Sequence, residues 1–160
     1  MIKSFYFLKF AHTASNDRDG VPVDKIYSIG FFSDKKKAMA AIEDYKVKPG
    51  FRDYPSSGFT IQRESARFDE DVEKSGAELY TLVHEQPTED GYVIYRDIGI
   101  YPGKAAAEKR RDRLARGKAY KDKPGEFKLE RWVADKELKW PRGFEDWEVE
   151  ERLIDPRKQH

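Results

Sequence analysis

Ile29-Gly30-Phe31-Phe32-Ser33-Asp34-Lys35-Lys36-Lys37-Ala38, running on to Phe51-Arg52-Asp53-Tyr54-Pro55, has a counterpart further along the same chain. The counterpart is Ile98-Gly99-Ile100-Tyr101-Pro102-Gly103-Lys104-Ala105-Ala106-Ala107, running on to Tyr120-Lys121-Asp122-Lys123-Pro124. Gly30 and Gly99 lie 69 positions apart, and so do Pro55 and Pro124. An offset that survives a strand end, a helix and a loop marks a duplicated structural unit.

Working outward through the first copy, Tyr6, Leu8 and Phe10 alternate with Phe7, Lys9 and Ala11 at the period of a strand. Ser15 to Pro22 is dense in turn formers and reads as a long hairpin loop. Ile26 to Phe32 is a second strand, apolar on both faces at its end, as a covered central strand is. Ser33 or Asp34 supplies the oxygen that caps a helix. Ala38, Ala41, Ile42 and Tyr45 form its buried stripe, and Pro49-Gly50 ends it. Phe59 to Arg63 is the third strand, so the unit is β-β-α-β.

Glu64 to Gly76 is polar and acidic and reads as a connector. The second copy opens at Leu79, where Tyr80 and Leu82 match Tyr6 and Leu8 at an offset of 74. The change from 74 to 69 makes the first hairpin loop five residues longer, a difference that loops tolerate. Tyr92 to Tyr101, Lys104 to about Arg116 and Phe127 to Trp132 complete strand, helix and strand. A tail follows that the first copy lacks, from Leu138 to Glu150, with Trp147 and Val149 expected in a final strand or short helix. The expected division is repeat 1 over 1–68, a linker over 69–77, repeat 2 over 78–135 and a Trp-containing extension over 136–160. Each three-stranded unit is marginal alone. The expectation is therefore an α+β domain, mostly antiparallel, with pseudo-twofold symmetry, its two sheets merged into one or packed face to face.

Composition narrows the class. Lys and Arg number 31 against 30 Asp and Glu, a net charge of +1, which marks neither a general nucleic-acid binder nor an acidic tail protein. Charged residues make up 38% of the chain, yet aromatics reach 14%, enough to close a core short of Leu and Val. Without Cys there is no disulfide, thiolate metal site or cysteine nucleophile. The first ten residues are too short and too interrupted by Lys for a signal peptide, and no apolar run reaches membrane length, so a cytoplasmic location and no membrane partner are expected.

Chemistry-bearing motifs are scarce. His84-Glu85 starts like the helical zinc motif, but position 88 is Thr and the segment reads as a strand with a half-buried His. No Ser-His-Asp set and no phosphate-cradling glycine run stands out, so no catalytic residue, metal or cofactor is assigned. The second helix is the local anomaly. At the 69 offset Ala41 becomes Arg110, Ile42 becomes Arg111 and Asp44 becomes Arg113, with Arg116 following. Arg stems often lie along apolar surface with their heads in water. The sharper reading is a cationic face for an acidic protein or for phosphates. Phe51, Arg52, Tyr54 and Tyr120, on the repeated loop, are the types that anchor interfaces. The recurrence of Asp53 and Pro55 as Asp122 and Pro124 favours an architectural role for that loop.

The string Ile29 to Ala38, with Pro49-Gly50-Phe51-Arg52-Asp53-Tyr54-Pro55-Ser56-Ser57-Gly58-Phe59 and Trp140-Pro141-Arg142-Gly143-Phe144, resembles a family of small bacterial proteins similar to immunity proteins. The resemblance covers residues 26–63 and, more loosely, 92–144; the duplication, the basic helix and the missing Trp motif after the first copy depart from it. It implies a non-enzymatic protein that occludes a partner, such as a cognate toxin; a monomer or homodimer is expected. The alternatives are a nucleic-acid-associated regulator using the basic helix over 104–118, and an enzyme of unrecognised type.

Overall fold

The structure, a computed structural model, describes residues 1–15 and 22–144. It is an α+β fold of two similar sheet–helix units. Strands β1 (Ile2–Ser15), β2 (Pro22–Phe32) and β3 (Phe59–Arg67) form one antiparallel sheet in the order β2-β1-β3, and helix α1 (Lys35–Tyr45) belongs to it. Strands β4 (Glu78–Pro87), β5 (Val93–Tyr101) and β6 (Glu126–Val133) form the other in the order β5-β4-β6, with helices α2 (Lys104–Arg116) and α3 (Lys118–Lys121). The sheets stay separate, so the merged sheet is not the one adopted. The expected tail element around Trp147 lies outside the described residues.

Both hairpins carry a bulge at the repeated glycine. Leu8 faces Gly30 and Lys9 faces Ser28, leaving Ile29 as the extra residue; Leu82 faces Gly99 and Val83 faces Asp97, leaving Ile98. A bulge shifts which face the following side chains take. Tyr27, Ile29 and Phe32 therefore join Leu8 and Phe10 in the core under α1, whereas Phe31 turns to the opposite face with Phe5 and Phe7. That opposite face packs on Leu79, Ile100 and Trp132 of the second sheet, with β2 against β6 and β3 against β5. The Trp132 ring stands edge-on to Phe7 at 5.2 Å and to Phe31 at 5.7 Å, and its buried indole N–H donates to Thr81 Oγ1 at 3.2 Å. Edge-to-face pairs of this kind contribute about 0.5–1.5 kcal/mol each beyond area burial. A chain short of branched aliphatics closes its core in this way.

Asp34 caps α1, its carboxylate accepting from the Lys37 N–H at 2.8 Å. The helix stops at Tyr45, four residues before Pro49, and two short 3-10 turns occupy Phe51–Asp53 and Ser56–Gly58. Glu64–Arg67, expected in the connector, is strand instead, because Ile2–Phe5 supply its backbone partners. Asp135 then locks the units together. Its carboxylate accepts from the Ser33 N–H at 2.9 Å, the Ser33 hydroxyl at 2.6 Å and Lys37 Nζ at 3.0 Å. Burial pushes the Asp135 carboxyl up, but the bonds from Ser33, Lys37 and Ser75 outweigh it and hold the group below the usual carboxylate range.

Candidate binding surface on the second unit

The C-terminal segment turns back onto the first unit and seals it. The Asp135 N–H donates to the Phe31 carbonyl at 2.9 Å and the Lys139 N–H to the Ile29 carbonyl at 2.8 Å, along the outer edge of β2. Tyr45 donates its hydroxyl proton to the Lys139 carbonyl at 2.8 Å, and the Phe144 N–H donates to the Pro49 carbonyl at 2.9 Å. Phe144, 2% exposed, stacks on Tyr27 at 3.9 Å and meets Phe51 edge-on at 4.8 Å. Trp140 stands edge-on to Tyr27 at 5.4 Å. The turn depends on Gly50 and Gly143, whose φ angles are +83° and +80°; a Cβ on Gly143 would lie 2.1 Å from the Pro49 carbonyl oxygen.

The second unit holds different chemistry at the equivalent positions. Strand register sets His84 opposite Arg96 and Phe127, as Phe10 is set opposite Tyr27 and Phe59. The 69 offset carries Phe51 to Tyr120 and Tyr54 to Lys123. Where the first unit stacks rings, the second thus places His84 and Arg96, with Lys123 Nζ 5.0 Å from the centre of the Tyr120 ring. His84 is 1% exposed, not half-buried, and lies 4.9 Å from the ring centres of both Tyr120 and Phe127. Arg96 Nη1 donates to His84 Nδ1 at 3.3 Å and to Gln86 Oε1 at 2.9 Å, so the His84 proton sits on Nε2. Burial lowers the His84 imidazole below its ordinary value, and the Arg96 and Lys123 charges lower it further. A guanidinium against Nδ1 also disfavours a metal cation there.

Helix α2 buries fewer of its residues than α1. It buries only Ala107, whereas α1 buries Ala38, Ala41 and Tyr45. Arg110, at the place of Ala41, is exposed and hydrogen-bonds Tyr101; burial raises that phenol and Arg110 offsets part of the rise. Arg111 is paired locally, its Nε donating to Asp112 at 3.1 Å and its Nη2 lying 3.8 Å from Glu108. Arg113 and Arg116 are exposed in the last turn, near the negative end of the helix dipole. From Lys104 to Lys123 there are nine Lys and Arg against three Asp and Glu, a net +6, against +3 for the equivalent residues 35–54. The chain totals +1, so the rest of the molecule carries −5. The positive charge is concentrated in that stretch of the chain.

Of the eight anchor residues expected from sequence, the four arginines and Tyr120 come together on the second unit. Phe51 does not belong to a surface: it is 1% exposed at the centre of the first unit's aromatic cluster. Tyr54 is half-buried and stacks on His12 at 3.8 Å, while Arg52 is exposed but lies on the other unit. Sequence reasoning missed Arg96, Gln86 and Lys123, although the offsets that align the copies set them against Tyr27, His12 and Tyr54. Ser33, with Lys37 Nζ 3.1 Å from its hydroxyl, is not an activated nucleophile. Its proton goes to Asp135, and the hydrogen bond to Asp135 raises the Lys37 pKa, keeping the amine charged. Among the described residues no group of three or more His, Asp or Glu side chains is placed to hold a metal ion, and no helix is long and apolar enough to cross a membrane. Comparison with family models, with curated proteins and with solved structures returned no match.

Proposed function

We propose that this chain is a non-enzymatic protein-binding protein that covers an acidic surface of a partner, in the manner of a bacterial immunity or antitoxin-type inhibitor. The observation that carries the reading is the asymmetry of the two units. One is closed by the chain's own tail, and the other presents the +6 stretch from Lys104 to Lys123, which spans α2 and α3 and buries a single residue. Occlusion needs shape and charge complementarity and no chemistry of its own. Helix α2 is about 20 Å long at 1.5 Å per residue, more than twice the Debye length of about 8 Å at physiological salt. A partner must therefore bring carboxylates along that length, because one distant charge is screened.

The test starts with affinity capture from the source cell, followed by reconstitution of the complex from two purified proteins. A fixed-stoichiometry complex whose affinity falls steeply with salt, and falls again in the Arg110→Gln/Arg113→Gln/Arg116→Gln variant, supports the reading. Unchanged affinity in that variant overturns the assignment of the surface. The arginine density of α2 also favours a second reading, binding to nucleic acid, although the −5 carried elsewhere opposes it. Retention of generic DNA at physiological salt, with no protein partner captured, selects the second reading.

A further inference from the structure

We infer that the second unit carries a pocket for a carboxylate, formed by Arg96 and Lys123 above His84, Gln86 and Tyr120, and that it takes an Asp or Glu side chain of the partner. The inference rests on the proposed protein-binding role and names the chemistry that role requires at one site. Three observations lead to it. The first is equivalence: in the first unit the same position is occupied, with Phe144 stacked on Tyr27, the residue that Arg96 replaces. The first unit thus accepts an inserted side chain at this position, and the second unit carries a guanidinium there in place of the Tyr27 ring.

The second observation is charge. Arg96 is half-buried, and both acceptors of its Nη1 are neutral, the Nδ1 of His84 and the amide oxygen of Gln86. Among the described residues Arg96 makes no ion pair, so its fork retains N–H donors for a bidentate carboxylate. Lys123 adds a second cation, 5.0 Å from the centre of the Tyr120 ring. Two cations facing one buried imidazole repel its protonated form, and the repulsion is relieved when an anion enters. The third is the floor. His84, Tyr120 and Phe127 pack at 4.9–5.3 Å between ring centres, which gives the inserted side chain a firm apolar base and a half-dry environment where the charge-assisted bond is strong.

His84 makes the test direct, because the chain has only three histidines and the other two lie elsewhere in it. The ring signals of His84 are followed by NMR while the intact protein is titrated with N-acetylglutamate N-methylamide, its neutral glutamine counterpart, and inorganic phosphate. The glutamate compound is expected to shift His84 saturably, with a Kd on the order of millimolar for a single carboxylate, to raise the His84 pKa, and to leave His12 unmoved. Arg96→Gln weakens that binding about tenfold or more, and so does Lys123→Gln, whose exposed position keeps folding out of question. The pocket is overturned if His84 does not respond, if the glutamine compound shifts it equally, or if phosphate alone binds. A silent pocket with an intact partner complex refutes this inference alone; a responsive pocket with no protein partner refutes the proposed function alone.

Discussion

Replacing Phe144 by Ala tests whether the C-terminal segment is part of the first unit's core or merely lies on it. Phe144 is 2% exposed and touches Tyr27, Phe51, Tyr54 and Trp140 through their rings. Truncating a buried Phe costs about 3–5 kcal/mol, combining lost transfer energy with the cavity left behind. The stacked and edge-on pairs with Tyr27 and Phe51 place the site at the upper end of that range, because each is worth about 0.5–1.5 kcal/mol beyond its area. A domain of this size loses about 2–4 °C of Tm per kcal/mol, so a fall of roughly 8–20 °C is expected. Total stability of such domains is about 5–15 kcal/mol, so the loss is a large fraction of it. Urea unfolding followed by far-UV circular dichroism, with wild type and Phe144→Ala in parallel, measures the loss. Phe127→Ala serves as the comparison; its ring is half-buried against His84 and Tyr120 in the second unit and should cost clearly less. A loss below about 1 kcal/mol for Phe144→Ala, or one no larger than for Phe127→Ala, would refute both the sealed groove and the inequality of the units that the functional reading rests on.

Two further perturbations follow from the same geometry. Gly143→Ala places a Cβ 2.1 Å from the Pro49 carbonyl oxygen at a φ of +80°, so a loss of at least about 1–2 kcal/mol in urea is expected; an unchanged midpoint would show that the tail does not turn there. Glu64 binds its proton more tightly in the folded chain, raised first by burial and then by Asp97, with Lys9 acting the other way. A carboxyl raised in this way lends stability that is complete below the ordinary carboxylate range and is lost as pH rises through the elevated value. Glu64→Gln should therefore gain on wild type between about pH 4 and pH 7. A gap of the same size at both ends of that range would count against the burial of Glu64.

The two similar sheet–helix units were legible because strands, helix and loop keep their spacing along the chain, and Gly30 and Gly99 each sit at the bulge of their hairpin. The strand at Glu64–Arg67 was not legible, since its polar residues enter the sheet only through backbone bonds to Ile2–Phe5, which no local pattern records. The basic helix announced itself as charge, and Arg110, Arg113 and Arg116 are exposed as that charge requires. Phe51 misled: an aromatic on a loop reads as an interface anchor until the neighbours that bury it are known.

The chain alone pointed to the β-β-α-β order of two similar units and to the places where they differ, since these depend on periodicity and spacing along one dimension. Tertiary structure decided which unit the described part of the tail closes. The tail could have covered either sheet edge as far as its own residues show. It covers β2 because Gly30 leaves room for Leu138, whose Cδ2 would lie 2.7 Å from a Cβ there, and because Gly50 and Gly143 let Phe144 reach Tyr27. Those conditions join residues about a hundred positions apart, so no local reading of Ile29 to Pro55 contains them.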